Sequence, residues 1–174
     1  MKLEALSLAA LLAASFTLVT AAALQGWSLY GWSPCRGALS DLGVYPATRP
    51  LFNSGVALGA LALAYYAARR LAWLIPAVSL ALVAGFTEDY GAPHYAAAVA
   101  FFTSPLVLLP GEDRRTMLAY TAVYTALAAA AVTGTCIAVA EYTAAAILSL
   151  HILLRVAEGE PRAASRQRLS GLRR

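Results

Sequence analysis

Seven polar residues of this chain could form one chemical site, although they are scattered through a very apolar sequence. They are Ser40, Asp41, Asn53, Glu88, Asp89, His94 and Glu141. A histidine beside a carboxylate can move protons, so His94 is a candidate general base or acid, with Asp41 or Glu141 as the partner that orients it. The same carboxyl, amide and hydroxyl groups could instead bind a polar ligand. A third alternative is that they only cap helix ends and tie down a loop.

Glu141 is the most informative of these candidates. It lies in IAVAEYTAAAIL, with apolar helix on both sides. An ionisable side chain inside hydrocarbon costs about 2.5–3.5 kcal/mol on insertion scales, so it normally faces protein or water and has a partner. The candidate partners from the sequence are Arg36, Arg49, His94 and Asn53.

Other chemistries have weaker support in the sequence. Glu88, Asp89 and His94 resemble ligands of a divalent ion, but no HExxH, CxxC or paired-histidine spacing occurs, and no metal site is predicted. The second histidine, His151, falls deep in a later apolar segment, and the chain has no second deep histidine to complete a haem site with it. It is predicted to be a hydrogen-bonded packing residue.

Hydrolase and nucleotide motifs are also missing. Ser40, Asp41 and His94 could suggest a serine hydrolase, but the GxSxG turn is absent. Phosphate-binding loops and dinucleotide fingerprints are absent too. The sequence therefore predicts no cofactor, and catalysis and simple binding both stay open.

The composition indicates the kind of structure that must position these polar residues. The 174 residues are 60% hydrophobic and only 13% charged, with a mean hydropathy of +0.66, whereas soluble domains have about 25% charged residues. Apolar runs near the length of a bilayer crossing recur along the chain. The net charge of +4 comes from bases at helix ends and in the tail, so no nucleic-acid partner is predicted. The sequence predicts an integral membrane protein.

We expect an all-α bundle of six transmembrane helices. The predicted spans are residues 4–25, 51–68, 71–86, 93–109, 116–133 and 137–154. Residues 26–50 form a long loop rich in Trp and Tyr, and residues 158–174 form a basic tail. The first apolar segment could also be a cleaved signal peptide, but its length, Glu4 and the spans that follow favour a transmembrane helix. The motif from Gly55 to Gly59 permits close helix packing.

The positive-inside rule orients the predicted bundle. With the N-terminus in the cytoplasm, all of the thirteen bases except Arg36 and Arg49 lie on the cytoplasmic side. Both termini are then cytoplasmic in the cell membrane, and the loop 26–50 becomes an outer lid. The seven polar candidates all come to the outer face, which is why they could form one site. The tail is predicted to be a solvated topology anchor, with anionic lipid binding as the alternative.

The two cysteines, Cys35 and Cys136, fall at the same outer level. Oxidation is possible outside the cytoplasm, and one disulfide would connect the loop 26–50 with the link between spans five and six. Two thiols at one level need not meet, so both the bonded and the free forms stay open.

Three segments resemble a known membrane family. They are LSDLGVYPATRPLFNSGVALGALAL (39–63), GFTEDYGAPHYAAAVAFF (85–102) and AEY (140–142). They are similar to the uncharacterised archaeal and bacterial multi-pass family known as domain of unknown function 998. A more distant likeness is to the eukaryotic Frag, DRAM and Sfk membrane family, whose members are linked to lipid handling. That likeness is carried at the positions Ser40, Asp41, Gly43, Pro46, His94 and Glu141.

Three functions follow as hypotheses. The resemblance and the polar cluster together imply recognition or remodelling of a lipid headgroup, with membrane lipids as the partners. The alternative is a non-catalytic accessory or scaffold protein that binds other membrane proteins through its small-residue helix faces. A small channel or carrier is a third hypothesis, but the middle of spans two to five offers little polarity.

Overall fold

The structure, a computed structural model, describes residues 2–159 and is all-helical, with 83% helix. Its six α-helices are α1 Lys2–Tyr30, α2 Arg49–Ala67, α3 Leu74–Gly85, α4 Ala92–Leu108, α5 Arg114–Thr133 and α6 Ile137–Ala157. Short 3₁₀ turns span Leu39–Gly43, Leu71–Trp73, Glu88–Tyr90 and Leu109–Gly111. Five of the helices are long and apolar enough to cross a membrane, which fits a multi-pass membrane protein.

Two predicted segments differ from those observed. The first helix continues from the predicted end at residue 25, through Gly26, to Tyr30, and Gly31, with a positive φ of 67°, ends it. The loop therefore covers 31–48 and not 26–50. The third helix is only 12 residues long, Leu74–Gly85, and a 3₁₀ turn precedes it. It is shorter than the length a spanning helix normally needs.

Four helices pack in chain order, α1 on α2, α2 on α3 and α3 on α4, and α6 closes against α1. α1 and α2 approach closely at Gly55, where an added Cβ would lie 3.0 Å from the Ser15 carbonyl oxygen. Ser15 Oγ donates a hydrogen bond of 2.7 Å to the Gly55 carbonyl across this contact. α5 packs on α6 and α4 at the edge of the bundle, and only 11% of its apolar window is buried.

The bundle has two ends of different chemistry. We call the end that carries segment 31–48 the loop end. The opposite end carries Arg69, Arg70, Arg114 and Arg115, and we call it the arginine end. There the start of α1 meets the end of α2 through an ion pair of 2.7 Å between Arg69 Nη2 and Glu4 Oε2. The predicted basic tail, 158–174, lies outside the described residues except for its first two.

Candidate functional site

Segment 31–48 is fixed to the loop end by its own contacts. A disulfide joins Cys35 to Cys136, which precedes α6. Trp32 is buried, and its Nε1 donates a hydrogen bond of 3.1 Å to the Ala38 carbonyl oxygen. Asp41 Oδ2 accepts a hydrogen bond of 3.1 Å from the Ala38 amide, which holds the turn Leu39–Gly43. The segment is therefore folded and held by several anchors, and we refer to segment 31–48 as the cover.

The cover reaches α6 through Glu141. The Leu39 amide donates a hydrogen bond of 2.7 Å to Glu141 Oε2. The sequence suggested an arginine, a histidine or an asparagine side chain as the partner, but the observed partner is a backbone N–H of the cover. Glu141 Oε1 has no hydrogen-bond partner within residues 2–159. One oxygen of this carboxyl group thus stays available for a ligand.

The cover also reaches the turn Glu88–Tyr90, through the side chains of Ser40 and Asp41. Ser40 Oγ donates a hydrogen bond of 3.1 Å to Glu88 Oε2, and Tyr95 donates one of 3.0 Å to Glu88 Oε1. The Asp41 carboxyl group also lies within hydrogen-bonding reach of the Glu88 carboxyl group. Two carboxyl groups can share a hydrogen bond only if one of them holds a proton.

The proton of this acid pair resides on Asp41. Burial and then the hydrogen bond and charge of Glu88 raise the pKa of Asp41 from 3.8 to about 7. Burial also works to raise the pKa of Glu88, but hydrogen bonds from Asp41, Tyr95 and Ser40 outweigh it, and the net effect is a lowered pKa. The pair therefore carries about one negative charge under mildly acidic conditions.

His94 opens the next helix and is only 3% exposed. Its Nδ1 lies 2.7 Å from the Phe86 carbonyl oxygen. A carbonyl oxygen can only accept, so Nδ1 carries a proton, and in the neutral imidazole tautomer that makes this contact Nε2 is an acceptor. A backbone carbonyl, and not Asp41 or Glu141, thus orients Nδ1 of this histidine. Nε2 is the atom through which His94 could take a proton from a bound group.

A cavity of about 120 Å³ lies inside the bundle beneath the cover. Its wall is mostly apolar, and representative lining residues are Leu12, Phe16, Val56, Leu63, Phe101 and Leu148. The polar lining residues are Ser15, Ser40, His94, Glu141, Tyr142 and Ser149. Ser40, His94 and Glu141 form its polar end, at the loop end of the bundle. A cavity with a short polar end and a long apolar wall suits an amphiphilic molecule.

The seven polar candidates thus divide into three groups. Ser40, His94 and Glu141 line the cavity, whereas Asp41 and Glu88 lie behind them in the acid pair. Asp89 and Asn53 do not line it.

Asp89 belongs to the surface of the loop end. Its side chain is 47% exposed, and Asp89 Oδ2 lies 3.9 Å from Arg49 Nη2. Thr87 accepts a hydrogen bond of 2.9 Å from Arg49 and donates one to Asp89. These contacts fix the turn before α4 to the start of α2.

Asn53 lies under the cover, where its Oδ1 is buried without a hydrogen-bond partner. A Cβ added to Gly43 would lie 3.0 Å from this oxygen, so the amide packs against the turn Leu39–Gly43. Asn53 therefore packs beneath the cover and does not line the cavity.

A second polar cluster, at the arginine end, was not predicted from the sequence. The Glu112 carboxylate accepts hydrogen bonds of 3.0 Å from Tyr66, 2.7 Å from Trp73 Nε1 and 2.9 Å from His151 Nε2. Arg155 also donates to the Glu112 carbonyl oxygen. Burial works to raise the pKa of Glu112, but the hydrogen bonds from His151, Trp73 and Tyr66 outweigh it and lower the pKa.

The prediction for His151 as a hydrogen-bonded packing residue agrees with this cluster, but its partner was missed. Glu112 follows Pro110-Gly111 and precedes Asp113, so it looks like an ordinary loop acid in the sequence. A signal that could have found the cluster is that Tyr66, Trp73 and His151, which all have N–H or O–H donors, lie near span ends on the same side of the predicted bundle.

Within residues 2–159, no three His, Cys, Asp or Glu side chains are arranged to hold a metal ion. Comparisons with protein-family models, with curated proteins and with solved structures found no match for this chain. The site must therefore be interpreted from its own geometry.

Proposed function

We propose that this chain is a membrane protein of six transmembrane helices that binds a lipid, with the polar group of the lipid at Ser40, His94 and Glu141. The apolar chain of the lipid would occupy the cavity between the helices. The observation that carries the proposal is the cavity itself, which joins a buried histidine and a half-satisfied carboxyl group to a long apolar wall.

The sixth span of the proposal is the short helix α3. Trp73, just before α3, contacts Glu112 at the arginine end, whereas Phe86, just after it, contacts His94 at the loop end. With its 3₁₀ turn, this segment is about 24 Å long, somewhat less than a hydrocarbon core of about 30 Å. Local thinning of the bilayer or snorkelling of flanking side chains accommodates such a difference.

The orientation follows from charge. Short loops rich in Arg stay in the cytoplasm, so the arginine end would face the cytoplasm and the loop end the outside. Both termini of the bundle are then cytoplasmic. The lipid would enter from the outer leaflet of the cell membrane, and the disulfide at the loop end would form in an oxidising environment.

A second candidate is an accessory protein that binds other membrane proteins. It is favoured by the acid pair, because Ser40, Asp41 and Glu88 satisfy one another and hold the cover closed. It is also favoured by α5, which packs at the edge of the bundle and is largely exposed. This candidate requires no ligand in the cavity.

Filling the cavity separates the two candidates. The variants Ala98→Phe and Ala145→Phe place a ring in the cavity from α4 and α6, and Ala96→Phe places the same ring on the exposed face of α4. The measurement is the lipid that stays bound after purification in mild detergent, by native mass spectrometry. We expect lipid to be lost from both cavity variants and retained by the Ala96→Phe control.

The same samples give the refuting result. If wild type and both cavity variants retain equal lipid per folded protein, the cavity is not a lipid site and the accessory function is favoured. Thermal unfolding of each variant identifies a protein that fails to fold. Because the two cavity variants lie on different helices, one can be lost without losing the test.

A further inference from the structure

With Glu141 as a carboxylate and His94 as a neutral imidazole, the polar end of the cavity has hydrogen-bond acceptors but no free donor. The Ser40 hydroxyl donates to Glu88, the Nδ1–H of His94 donates to Phe86, and the Leu39 amide donates to Glu141. What remains for a ligand is the lone pair of His94 Nε2 and Glu141 Oε1. A complementary ligand must therefore donate hydrogen bonds.

The charge at this end is also one-sided. Glu141 lines the cavity, and the acid pair of Asp41 and Glu88 lies directly behind Ser40. Arg36 and Arg49 do not line it, and Arg49 lies against Thr87 and Asp89. A phosphate group offers mainly acceptors and negative charge, so it would face repulsion without compensation in this poorly solvated site.

The cavity is long and narrow. Its lining on α6 runs from Glu141 to Ile152, eleven residues or about 16 Å along the helix axis. Its volume of about 120 Å³ is below that of an engineered cavity of about 150 Å³ that holds one benzene. A space of this volume holds a stretch of one hydrocarbon chain and cannot hold two chains side by side, so the rest of a long acyl chain would extend out between the helices.

We infer that the ligand is a single-chain amphiphile whose polar group donates hydrogen bonds and carries no negative charge, such as the glycerol hydroxyls of a monoacylglycerol. This inference rests on the proposed lipid-binding function and specifies the ligand class. The two hydroxyls would donate to His94 Nε2 and Glu141 Oε1. The chain would lie along the apolar wall, past Val56 and Leu63 of α2 and Leu148 of α6.

Three oleoyl ligands test the inference on the full-length protein at one fixed detergent concentration. Monooleoylglycerol is the expected ligand; in oleoyl lysophosphatidic acid a phosphate ester replaces one of its two hydroxyls, and in dioleoylglycerol a second acyl ester replaces one. We expect monooleoylglycerol to bind at least about tenfold more tightly than either, because each of the others has lost one hydroxyl that could donate to the site. Apparent Kd values come from native mass spectrometry or ligand-dependent thermal unfolding.

The variant Glu141→Gln tests the polar end directly. Gln keeps an oxygen for the Leu39 amide, removes the negative charge and adds an N–H₂ donor. We expect the preference for monooleoylglycerol over the phosphate ligand to fall severalfold, because this donor can bind a phosphate oxygen. An unchanged preference would contradict the role given to Glu141.

The failures are distinguishable. If the phosphate ligand binds as tightly as monooleoylglycerol, and Ala98→Phe abolishes both, the headgroup inference is overturned while lipid binding stands. Equal binding of dioleoylglycerol overturns the single-chain part. If no ligand is displaced by Ala98→Phe while Ala96→Phe behaves like wild type, the proposed function itself fails.

Discussion

Replacing Glu112 with Ala should destabilise the bundle strongly, although Glu112 lies at the end opposite the cavity's polar end. The substitution removes the acceptor of three hydrogen bonds, from Tyr66, Trp73 and His151. The side chain of Glu112 is only 10% exposed and that of His151 only 2%, so water would replace the carboxylate poorly. Removing one partner of such a buried charged network costs about 3–5 kcal/mol.

The assay is thermal unfolding in a fixed detergent. At about 2–4 °C per kcal/mol for a chain of this size, the melting temperature should fall by about 6–20 °C. Glu112→Gln, which keeps one carbonyl oxygen as an acceptor, should lose clearly less. The matched control is Glu158→Ala, because Glu158 is 61% exposed and lies 3.8 Å from Arg155, a pair that contributes at most about 1 kcal/mol.

An equal, small effect of Glu112→Ala and Glu158→Ala would refute this reasoning. It would mean that the donors around Glu112 find water or other acceptors without loss, and that the cluster does not hold α2, α3 and α6 together. Lipid retention by the Gln variant should stay at the wild-type level, because Glu112 does not line the cavity.

Three further outcomes are expected. The folded state holds a proton on Asp41, whose pKa rises from 3.8 to about 7, so its contribution to stability should decline as pH rises through that window. Asp41→Asn should flatten this pH dependence of the melting temperature, and an undiminished dependence would contradict the assignment. Replacing Cys35 and Cys136 with Ser opens a link across 101 residues and should cost about 2–4 kcal/mol; an unchanged melting temperature would show that the cover needs no crosslink. Gly55→Val should cost about 1–3 kcal/mol by separating α1 from α2, whereas Gly85→Ala, with nothing within 4 Å of an added Cβ, serves as the tolerated control.

The helical bundle was predictable because it depends on local properties. Apolar runs near twenty residues must form helices in hydrocarbon, since every backbone N–H and C=O needs an internal partner there. The composition and these runs predicted six transmembrane spans, and six helices are observed close to those positions, five of them long enough to cross a membrane. The errors occurred at boundaries: α1 continues to Gly31, and α3 is short.

The sequence predicted that the polar residues of the candidate site lie at the same end of the bundle. It did not predict which of them form hydrogen bonds with one another. The sequence could propose side-chain partners for Glu141, but the partner is the Leu39 amide. Backbone donors are present at every residue, so no pattern of letters distinguishes the one that will be used. In the same way, a carboxylate was predicted to orient His94, by analogy with acid–base sites. The observed partner of its Nδ1 is the carbonyl oxygen of Phe86, just after α3.

The sequence by itself determined that this chain is apolar, helical and polar at a few helix ends, because these properties follow from composition and from the satisfaction of the backbone in lipid. The tertiary structure decided the rest. It separated Ser40, His94 and Glu141, which line the cavity, from Asp89 and Asn53, which do not. The physical reason is that packing determines which side of each helix faces a neighbour and how segment 31–48 folds. Small differences in this packing determine which polar atoms keep a free lone pair. The stretch around Asp41 is thus a cover whose own hydrogen bonds leave the cavity below it rich in acceptors.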